Sequence, residues 1–506
     1  MGYKKRCVFV VVGAILVTLL RHFYSGKGYQ KQWTRSSGSA WENQVSPNPG
    51  LLLVENNMVT DEPKNVQLKI PNPGPLLVGN TTITDEPKNA QVKLKPLVNR
   101  MTTRIWGNTN SHSNRKTTSA PARVKTNQSR LLNRSITATP AWVKVPNRIP
   151  FYVTSTYLDK RKNGFGRAVV VLGYGKLNQS EQPIYCLFSD AKWSKMQCTK
   201  DPVKKVQIND KFVESKNDYC DYYYICKVSS LFTPALVSFS PNHTCQQPST
   251  WITVAPGLTE PTKKFGVCIH SPLFDVNDPQ YIIHTFEMNR ILGAEWFTVY
   301  IMSASAEVKK VLKDYADEGL LETVDWNIPR KIRARYHGQD MCLQDCAYRN
   351  MHRVKYLIYT DLDEIIVPQQ LPNWSGMMEK LDQESRGAFI IRSVHLYGNS
   401  TIATCNTTES EFEMPRFITF TQRAERIQAV GFRSKLIVKP KKFARVGVHT
   451  IFELLKGYQP YSVSPRVALL YHYRVPPVYT ARTKEEDKMV KYFPELLARI
   501  KTRICS

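Results

Sequence analysis

Apolar and polar residues follow two different rhythms along the chain, and the change between them divides its folded part. Between about residues 150 and 255, short runs rich in Val, Tyr and Phe are separated by turn signals such as Asn163-Gly164 and Gly173-Tyr174-Gly175. The runs lie at 168–172, 184–188, 221–228 and 236–239. This pattern predicts a small β-rich domain over residues 146–260. Five cysteines fall inside it, so we expect disulfides to stabilise it: Cys186, Cys198, Cys220, Cys226 and Cys245.

Beyond residue 261, predicted strands alternate with predicted helices. Apolar runs predict strands at 265–270, 296–301, 320–326 and 356–360, and helical periodicity predicts helices at 279–292, 307–318 and 339–353. Such alternation indicates βαβ units, and therefore an α/β fold with a mostly parallel sheet over residues 261–506. In sheets of this kind, ligands bind at the carboxyl ends of the strands.

An acidic cluster directly follows the fourth of these predicted strands. Residues 356–368 read YLIYTDLDEIIVP, which places Asp361, Asp363 and Glu364 within four residues of one another. Three carboxylates this close repel one another unless a cation compensates them, and Asp361 and Asp363 are spaced to face the same ion. Oxygen ligands suit Mn²⁺ or Mg²⁺ that also contacts a phosphate-bearing substrate. The alternative is a solvated acidic turn, which the position at a strand's carboxyl end disfavours.

The charge balance points to an anionic partner. The chain has 506 residues with 70 Lys and Arg against 42 Asp and Glu, a formal net charge of +28. The basic residues are spread along the chain and no nucleic-acid-binding motif is present, so we expect no nucleic-acid partner. A membrane surface or a phosphorylated substrate is left as the anionic partner.

The N-terminal part predicts a membrane anchor followed by a stem. Basic residues 4–6 precede an apolar run at 7–20, and no cleavage site follows. We therefore predict a cytoplasmic tail at 1–6, a transmembrane signal anchor at 7–24 and a type II topology. Residues 25–145 are rich in Pro, Asn, Thr, Ser and Lys, and a duplication at a 24-residue offset relates 47–65 to 71–89. This composition predicts a flexible lumenal stem.

Glycosylation acceptors and cysteines agree with a lumenal location. Ten of the eleven cysteines lie beyond the apolar run, an even number compatible with five disulfides in an oxidising compartment. Eight Asn-x-Ser/Thr acceptors also lie beyond the run: Asn80, Asn127, Asn133, Asn178, Asn242, Asn373, Asn399 and Asn406.

Four ordered motifs resemble one enzyme family. They lie at 292–297 (LGAEWF), 339–368, 431–435 (GFRSK) and 472–474 (HYR), and together they make residues 150–480 similar to glycosyltransferase family 92. The resemblance implies a GT-A type nucleotide-sugar-binding fold, a UDP-sugar donor, Mn²⁺ (or Mg²⁺) and inversion at the anomeric carbon. It further implies a Golgi membrane galactosyltransferase that uses UDP-galactose and extends terminal galactose of glycoprotein N-glycans in β-1,4 linkage.

The chemistry of such a transfer indicates which residues could form the site. The metal would be held by Asp361 and Asp363 with a histidine from the C-terminal side, either His472 or His449. Arg433, Lys435 and Arg474 could offset the charge of the diphosphate, and Glu364 would support the acidic pair. Inversion also needs a general base near the acceptor hydroxyl, and the candidates are Glu411, Glu413 and Glu425.

Three other functions compete with this one. A catalytically inactive, lectin-like module would keep the fold and bind glycans, and a transferase could use another UDP-sugar as donor. A nucleotide-sugar hydrolase or phosphodiesterase would need a richer cluster of His and Asp than the sequence contains. Disulfide pairing and oligomeric state stay open at this point.

Overall fold

The structure is a computed structural model that describes residues 136–137, 142–145, 150–176, 183–209, 219–246, 248, 250–255, 260–405, 409–474 and 482–505. All of these belong to one compact unit, residues 117–506. The predicted tail, anchor and most of the stem lie outside the described residues, as do Asn80, Asn127, Asn133, Asn178 and Asn406. Within the described ranges, no helix is long and apolar enough to cross a membrane.

The region before residue 260 is made of strands, as the short apolar runs predict. They pair into two five-stranded sheets, in the orders β1-β10-β9-β5-β6 and β2-β3-β4-β8-β7. The described strands are β1 (Ile136–Thr137), β2 (Val143–Val145), β3 (Phe151–Asp159), β4 (Ala168–Lys176), β5 (Tyr185–Ser189), β6 (Met196–Cys198), β7 (Lys204–Gln207), β8 (Tyr219–Lys227), β9 (Leu236–Ser240) and β10 (Trp251–Thr253).

One predicted turn in this region is wrong. Gly173 and Gly175 lie inside strand β4, where they pair with Tyr222 and Cys220 of β8. A Cβ on Gly173 would come within 2.3 Å of the Tyr152 carbonyl oxygen, so the position requires glycine because a neighbouring strand approaches closely. Here the glycines admit a close strand neighbour and do not reverse the chain.

The region after residue 260 contains the predicted alternation of strands and helices. Its elements are β11 (Lys263–Leu273), α1 (Pro279–Leu292), β12 (Trp296–Ile301), α2 (Ala306–Asp317), β13 (Leu321–Asp325), α3 (Gln339–Asn350), β14 (Val354–Thr360), β15 (Glu364–Pro368), α4 (Trp374–Leu381), β16 (Arg386–Ile391), β17 (Ser393–Tyr397), β18 (Ile402–Thr404), β19 (Glu411–Glu413), α5 (Arg416–Thr419), β20 (Gln422–Ala424), β21 (Lys435–Val438), β22 (Phe443–Val446), β23 (Ile451–Leu454), β24 (Gln459–Ser462), β25 (Ala468–Tyr473), β26 (Thr483–Glu485) and α6 (Phe493–Ile504).

Local capping explains why these helices begin and end where they do. The Asp278 side chain accepts hydrogen bonds from the first backbone N–H groups of α1, and Pro279 occupies the first helical position. Gly293 ends α1 with φ of 121°, a conformation that favours glycine. The Ser305 side chain caps α2 in the same way as Asp278 caps α1.

Seven strands of this region form a mixed, mostly parallel sheet in the order β13-β12-β11-β14-β21-β16-β24. Strands β11 to β14 are all parallel, and β21 is antiparallel to both of its neighbours. The chain builds outwards from β11 to β12 and β13 on one side, and then returns to place β14 on the other side of β11. The carboxyl ends of β11 and β14 therefore meet at a topological switch point, where α/β sheets bind ligands.

A second sheet continues from this switch point. Strand β15 follows β14 after a three-residue turn and begins the sheet β15-β25-β17-β20-β26. In this sheet β25 pairs antiparallel with β15 and parallel with β17. The carboxyl ends of β25 and β17 therefore lie beside the start of β15.

The two regions share one hydrophobic core. Alternate residues of β4 face opposite sides: Val169 and Val171 pack inside the β-sandwich, whereas Val170 and Leu172 pack with helix α3 and the central sheet. Polar contacts cross the same interface, since Tyr157 Oη donates to Asp345 Oδ1 of α3 at 2.7 Å. The domain boundary predicted at 260/261 stays a prediction.

Four disulfides are formed among the described residues, and not the five that the cysteine count allows. Two lie in the β-rich region and two in the later region: Cys186–Cys226, Cys198–Cys245, Cys268–Cys346 and Cys405–Cys505. Cys342 is a buried thiol one helical turn from Cys346 on α3, and Cys346 is already bonded to Cys268 of β11. Cys342 and Cys346, one helical turn apart, are therefore not bonded to each other.

Candidate active site

The acidic turn lies at the switch point of the central sheet. Asp361, Leu362 and Asp363 connect the end of β14 to the start of β15. Neighbouring elements fix the backbone of this turn, because Thr285 of α1 donates to the Leu362 carbonyl at 2.8 Å and Tyr473 N–H donates to the Asp363 carbonyl at 2.9 Å. The carboxylates are therefore held by packed secondary structure, and the turn is not a free surface loop.

Asp361 is engaged from the end of strand β11. Ser271 Oγ donates to Asp361 Oδ1, and Gln339 Nε2 at the start of α3 donates to Ser271 Oγ at 2.6 Å. Gln339 Nε2 also lies 3.0 Å from Nδ1 of His270, a histidine whose pKa burial lowers to about 3. The sequence analysis missed His270 and Ser271, although their place at the carboxyl end of the first predicted strand was an available signal.

A buried lysine supplies positive charge to this cluster. Lys435 at the start of β21 has a side chain only 2% exposed, and its Nζ lies 2.7 Å from Asp361 Oδ2 and 3.0 Å from Glu364 Oε2. Burial opposes the charge of Asp361, but Lys435, His270 and Ser271 together outweigh burial and lower the pKa of Asp361. Burial dominates at Glu364 and raises its pKa despite Lys435. Lys435 thus neutralises Asp361 and Glu364, whereas the prediction from the sequence was that it offsets the charge of a diphosphate.

Asp363 contacts the histidine that ends strand β25. His472 is the register partner of Glu364, and its Nε2 lies 3.0 Å from Asp363 Oδ2 while its Nδ1 lies 3.4 Å from Glu364 Oε1. Arg474 Nε donates to the same His472 Nε2 at 2.9 Å. Burial opposes ionisation of Asp363, but His472 and Arg474 together outweigh burial and lower the pKa of Asp363. The motif-based grouping of Asp363 with His472 and Arg474 is thus reproduced in space.

A group of cationic and imidazole side chains adjoins Asp363. His395 of β17 is the register partner of His472, and their ring centroids are 5.3 Å apart. Arg433 Nη1 lies 3.3 Å from His395 Nε2, which brings Arg433 to the same corner as Arg474. Burial, followed by His472 and the two arginines, lowers the pKa of His395 to about 3. His395 was missed because only the pairing of β17 with β25 brings it here.

The other histidine candidate lies on the opposite side of the cluster. His449 Nδ1 donates to the Ser434 carbonyl at 3.0 Å, and burial followed by Lys435 lowers the pKa of His449 to about 4. His449 is therefore tied to the backbone next to Lys435, whereas His472 contacts Asp363 directly.

The three candidates for the general base lie in different surroundings. Glu413 ends β19, and its backbone N–H donates to Gln280 Oε1 at 2.9 Å, next to Tyr281 of α1. Burial and the charge of Asp363 raise the pKa of Tyr281, which places Tyr281 beside the acidic turn. Glu411 is exposed on the same hairpin.

Glu425 lies just beyond strand β20 and is exposed. Strand β20 pairs antiparallel with β17, with Tyr397 opposite Gln422, and the same register places Glu425 level with Val394. Side chains alternate between the two faces of a sheet, so Glu425 and His395 lie on opposite faces.

The arrangement offers few ligands to a metal ion on its own. Among the described residues, no three His, Cys, Asp or Glu side chains are grouped closely enough to hold a metal. Asp363 and His472 nevertheless place a carboxylate and an imidazole 3.0 Å apart, and both are ligands that divalent ions accept. The Nε2 lone pair accepts from Arg474 in the structure, so a metal ion at Nε2 would replace this hydrogen bond. His472 Nδ1 lies 3.4 Å from Glu364 Oε1 without a hydrogen bond between them.

The fold and the site define an α/β protein whose switch point carries paired acidic and cationic side chains. Residues 263–505 match the model of glycosyltransferase family 92, and this part of the chain belongs to that family.

Named relatives agree with this assignment. The chain is 24% identical over 220 residues to the beta-1,4-galactosyltransferase galt-1 of Caenorhabditis elegans, a match that covers 42% of this chain and 48% of that protein. A second family 92 protein of the same nematode is 25% identical over 133 residues, which cover 24% of this chain and 26% of that protein. The matches thus span half or less of these relatives.

Solved structures are only remotely similar. Residues 1–349 of TarS from S. aureus match with a TM-score of 0.22 and 9% identity, over 42% of this chain and 60% of that one. At that TM-score the similarity says nothing about ligands or activity.

Proposed function

We propose that this chain is a metal-dependent, inverting glycosyltransferase with a GT-A type fold. It would transfer galactose from UDP-galactose, in β-1,4 linkage, to terminal galactose of glycoprotein N-glycans. The family of residues 263–505 and the name of the nematode relative support the reaction class. The observation that carries the proposal is the juxtaposition of Asp363, His472 and Arg474 at the switch point of the central sheet.

Asp363 and His472 are the residues that would hold Mn²⁺ or Mg²⁺. They lie 3.0 Å apart, and both side chains are ligands that such ions accept. Asp361 would support the site from the other side of the turn, since Lys435 and Ser271 already engage both of its oxygens. When bound, the ion would stabilise negative charge on the departing diphosphate.

Arg433 and Arg474 would bind the remaining negative charge of the diphosphate. Arg433 and Arg474 converge on the histidine pair His395 and His472, so two guanidinium groups stand at one corner beside Asp363. Planar guanidinium groups bind phosphate oxygens through paired N–H donors. Lys435 is excluded from this role by its burial against Asp361 and Glu364.

Glu413 is the general base that the geometry favours. In an inverting transfer the acceptor hydroxyl attacks the anomeric carbon from the face opposite UDP. The new C–O bond forms as the bond to the diphosphate breaks with its electron pair, and the base takes the hydroxyl proton. Glu413 lies on a hairpin whose backbone bonds to Gln280 at the start of α1, and its carboxylate accepts from Ser400 Oγ at 2.6 Å.

We also propose a Golgi location with a lumenal catalytic part, a membrane anchor at residues 7–24 and a stem at 25–145. The support is the apolar run without a cleavage site, the glycosylation acceptors and the disulfides. Three of the acceptors, Asn242, Asn373 and Asn399, lie in the described part of the chain. Asn399 is exposed, whereas Asn373 caps helix α4 through Gly376 N–H.

A donor and acceptor screen tests the proposal. Purified full-length chain is incubated with Mn²⁺, a galactose-terminated N-glycan and, in separate reactions, UDP-galactose, UDP-glucose, UDP-N-acetylglucosamine or UDP-N-acetylgalactosamine. We expect UDP release and a β-1,4-galactosylated product with UDP-galactose alone. Glycan binding without UDP release from any donor would instead identify a lectin-like protein, and release with another donor would correct the sugar.

A further inference from the structure

His395 of strand β17 contacts Arg433, one of the two arginines beside Asp363. It lies on β17 with 9% of its surface exposed, directly opposite His472 in the register of β17 and β25. Its two ring nitrogens contact different partners: Nε2 lies 3.3 Å from Arg433 Nη1, and Nδ1 lies 3.3 Å from Tyr397 Oη. A single imidazole therefore joins Arg433 to a strand of the site.

The identity of these partners fixes the state of the imidazole. A guanidinium has only N–H donors, so His395 Nε2 must accept the hydrogen bond from Arg433. A neutral imidazole that accepts at Nε2 carries its proton at Nδ1, and this N–H is directed at the Tyr397 oxygen. His395 is thus a neutral hydrogen-bond acceptor that adds no negative charge beside Arg433.

Arg433 needs such a partner because of where it lies in the chain. It follows Phe432, which is 55% exposed, in the loop before β21, and its backbone has φ of 52°. A long side chain on an exposed loop loses considerable rotamer freedom when it is ordered for binding. An acceptor on a packed strand offsets part of that loss before the ligand arrives.

We propose that His395 is a positioning residue that orients the Arg433 guanidinium, so that Arg433 and Arg474 together bind the diphosphate of a nucleotide sugar. The role rests on the proposed function, since it assumes a diphosphate ligand. A carboxylate at position 395 would also hold Arg433 but would cancel its charge. The neutral imidazole holds the guanidinium and keeps its charge for the phosphates.

The test measures binding of UDP by calorimetry, together with KM for UDP-galactose and kcat, on the full-length chain. His395→Phe keeps a ring but removes the acceptor, and His395→Gln keeps an acceptor at a similar distance. We expect His395→Phe to raise the Kd of UDP and the KM about tenfold, the loss expected of one hydrogen bond to a charged group, with kcat changed much less. His395→Gln should restore most of the affinity.

A matched control separates this role from loss of a buried ring. His284 of α1 is 5% exposed, and burial lowers its pKa to about 4, but it lies away from Arg433. His284→Phe should cost stability without weakening UDP binding. If His395→Phe folds poorly, Tyr397→Phe provides a milder second variant, which should weaken UDP binding by about threefold by freeing Nδ1.

A double-mutant cycle decides the mechanism. In an Arg433→Ala background, His395→Phe should add little, because its effect passes through Arg433. The inference is overturned if the two effects on UDP binding are independent, or if His395→Phe and Tyr397→Phe both bind UDP as tightly as the wild type. Wild-type protein that binds neither UDP nor UDP-galactose would instead overturn the proposed function.

Discussion

At the scale of single residues, the carboxylates of the acidic turn contact two different partners, Lys435 and His472. Lys435 bonds to Asp361 and Glu364, so part of the carboxylate repulsion is relieved by the protein itself. Asp363 contacts His472, whose Nε2 already accepts from Arg474. Asp363 is therefore the carboxylate best placed for a divalent ion, because Ser271 and Lys435 already bond to both oxygens of Asp361.

The general base is the residue-scale prediction. Glu413→Gln should lower kcat by about 10²- to 10⁴-fold with little change in the KM for UDP-galactose, because the donor still binds but the acceptor proton has no base. Glu425→Gln is the matched control and should transfer at near wild-type rates. Equal losses in both variants, measured as galactose transfer per minute, would remove Glu413 from this role.

Some of these residues can be predicted from the sequence and others cannot. Asp361 and Asp363 can be predicted because their signal is local: charged residues directly after an apolar strand. His395 and the true partners of Lys435 cannot, because strand pairings bring together residues far apart in the chain. The choice between His472 and His449 needed the same information, since both histidines follow apolar runs.

At the scale of elements, local signals explain most of the helices and strands. Asp278, Ser305 and Gly293 mark helix ends through caps that require only neighbouring residues. The turn expected at Gly173 failed because its cause, the close approach of Tyr152, lies on another strand.

A carboxyl pair between strand β8 and helix α3 gives the element-scale prediction. Asp221 Oδ2 is buried without a hydrogen-bond partner in the described residues, and burial followed by the charge of Asp340 raises the pKa of Asp221 to about 8. The unfolded value is about 3.9, so the folded chain binds more protons between these values and loses stability as pH rises from about 4 to 8.

Asp221→Asn removes this dependence. Its Tm should fall less than that of the wild type between pH 5 and pH 8, by about 2 °C or more, when both are followed by scanning calorimetry. Asp201→Asn, at an exposed position of the same region, is the control and should follow the wild type. Parallel Tm curves for Asp221→Asn and wild type would mean that Asp221 is ionised in the folded chain.

At the scale of the whole molecule, the β-rich region and the family 92 region depend on each other. Val170 and Leu172 of β4 pack in the same core as helix α3, and Arg161 Nη1 donates to the Phe443 carbonyl at 2.6 Å. A fragment of residues 261–506 would expose this apolar face to water. We expect it to aggregate or to be retained in cells, whereas residues 117–506 should be secreted and fold cooperatively.

Secretion and thermal unfolding of the two fragments measure this dependence. The comparison is matched, since the two fragments share every residue of the later region. A monomeric, cooperatively unfolding 261–506 fragment would show that the shared core is dispensable and that the boundary predicted at 260/261 separates independent domains.

The most direct test of the central claim is the Mn²⁺ dependence of galactose transfer in an Asp363→Asn variant. Asn keeps the shape of Asp363 but removes its charge, so the rate should fall by about a thousandfold or more and added Mn²⁺ should not restore it. EDTA should abolish galactose transfer by the wild type, and added Mn²⁺ should restore it. Asp325→Asn, at the exposed end of strand β13, is the control and should behave as wild type. Transfer by Asp363→Asn at near wild-type rates would contradict the account.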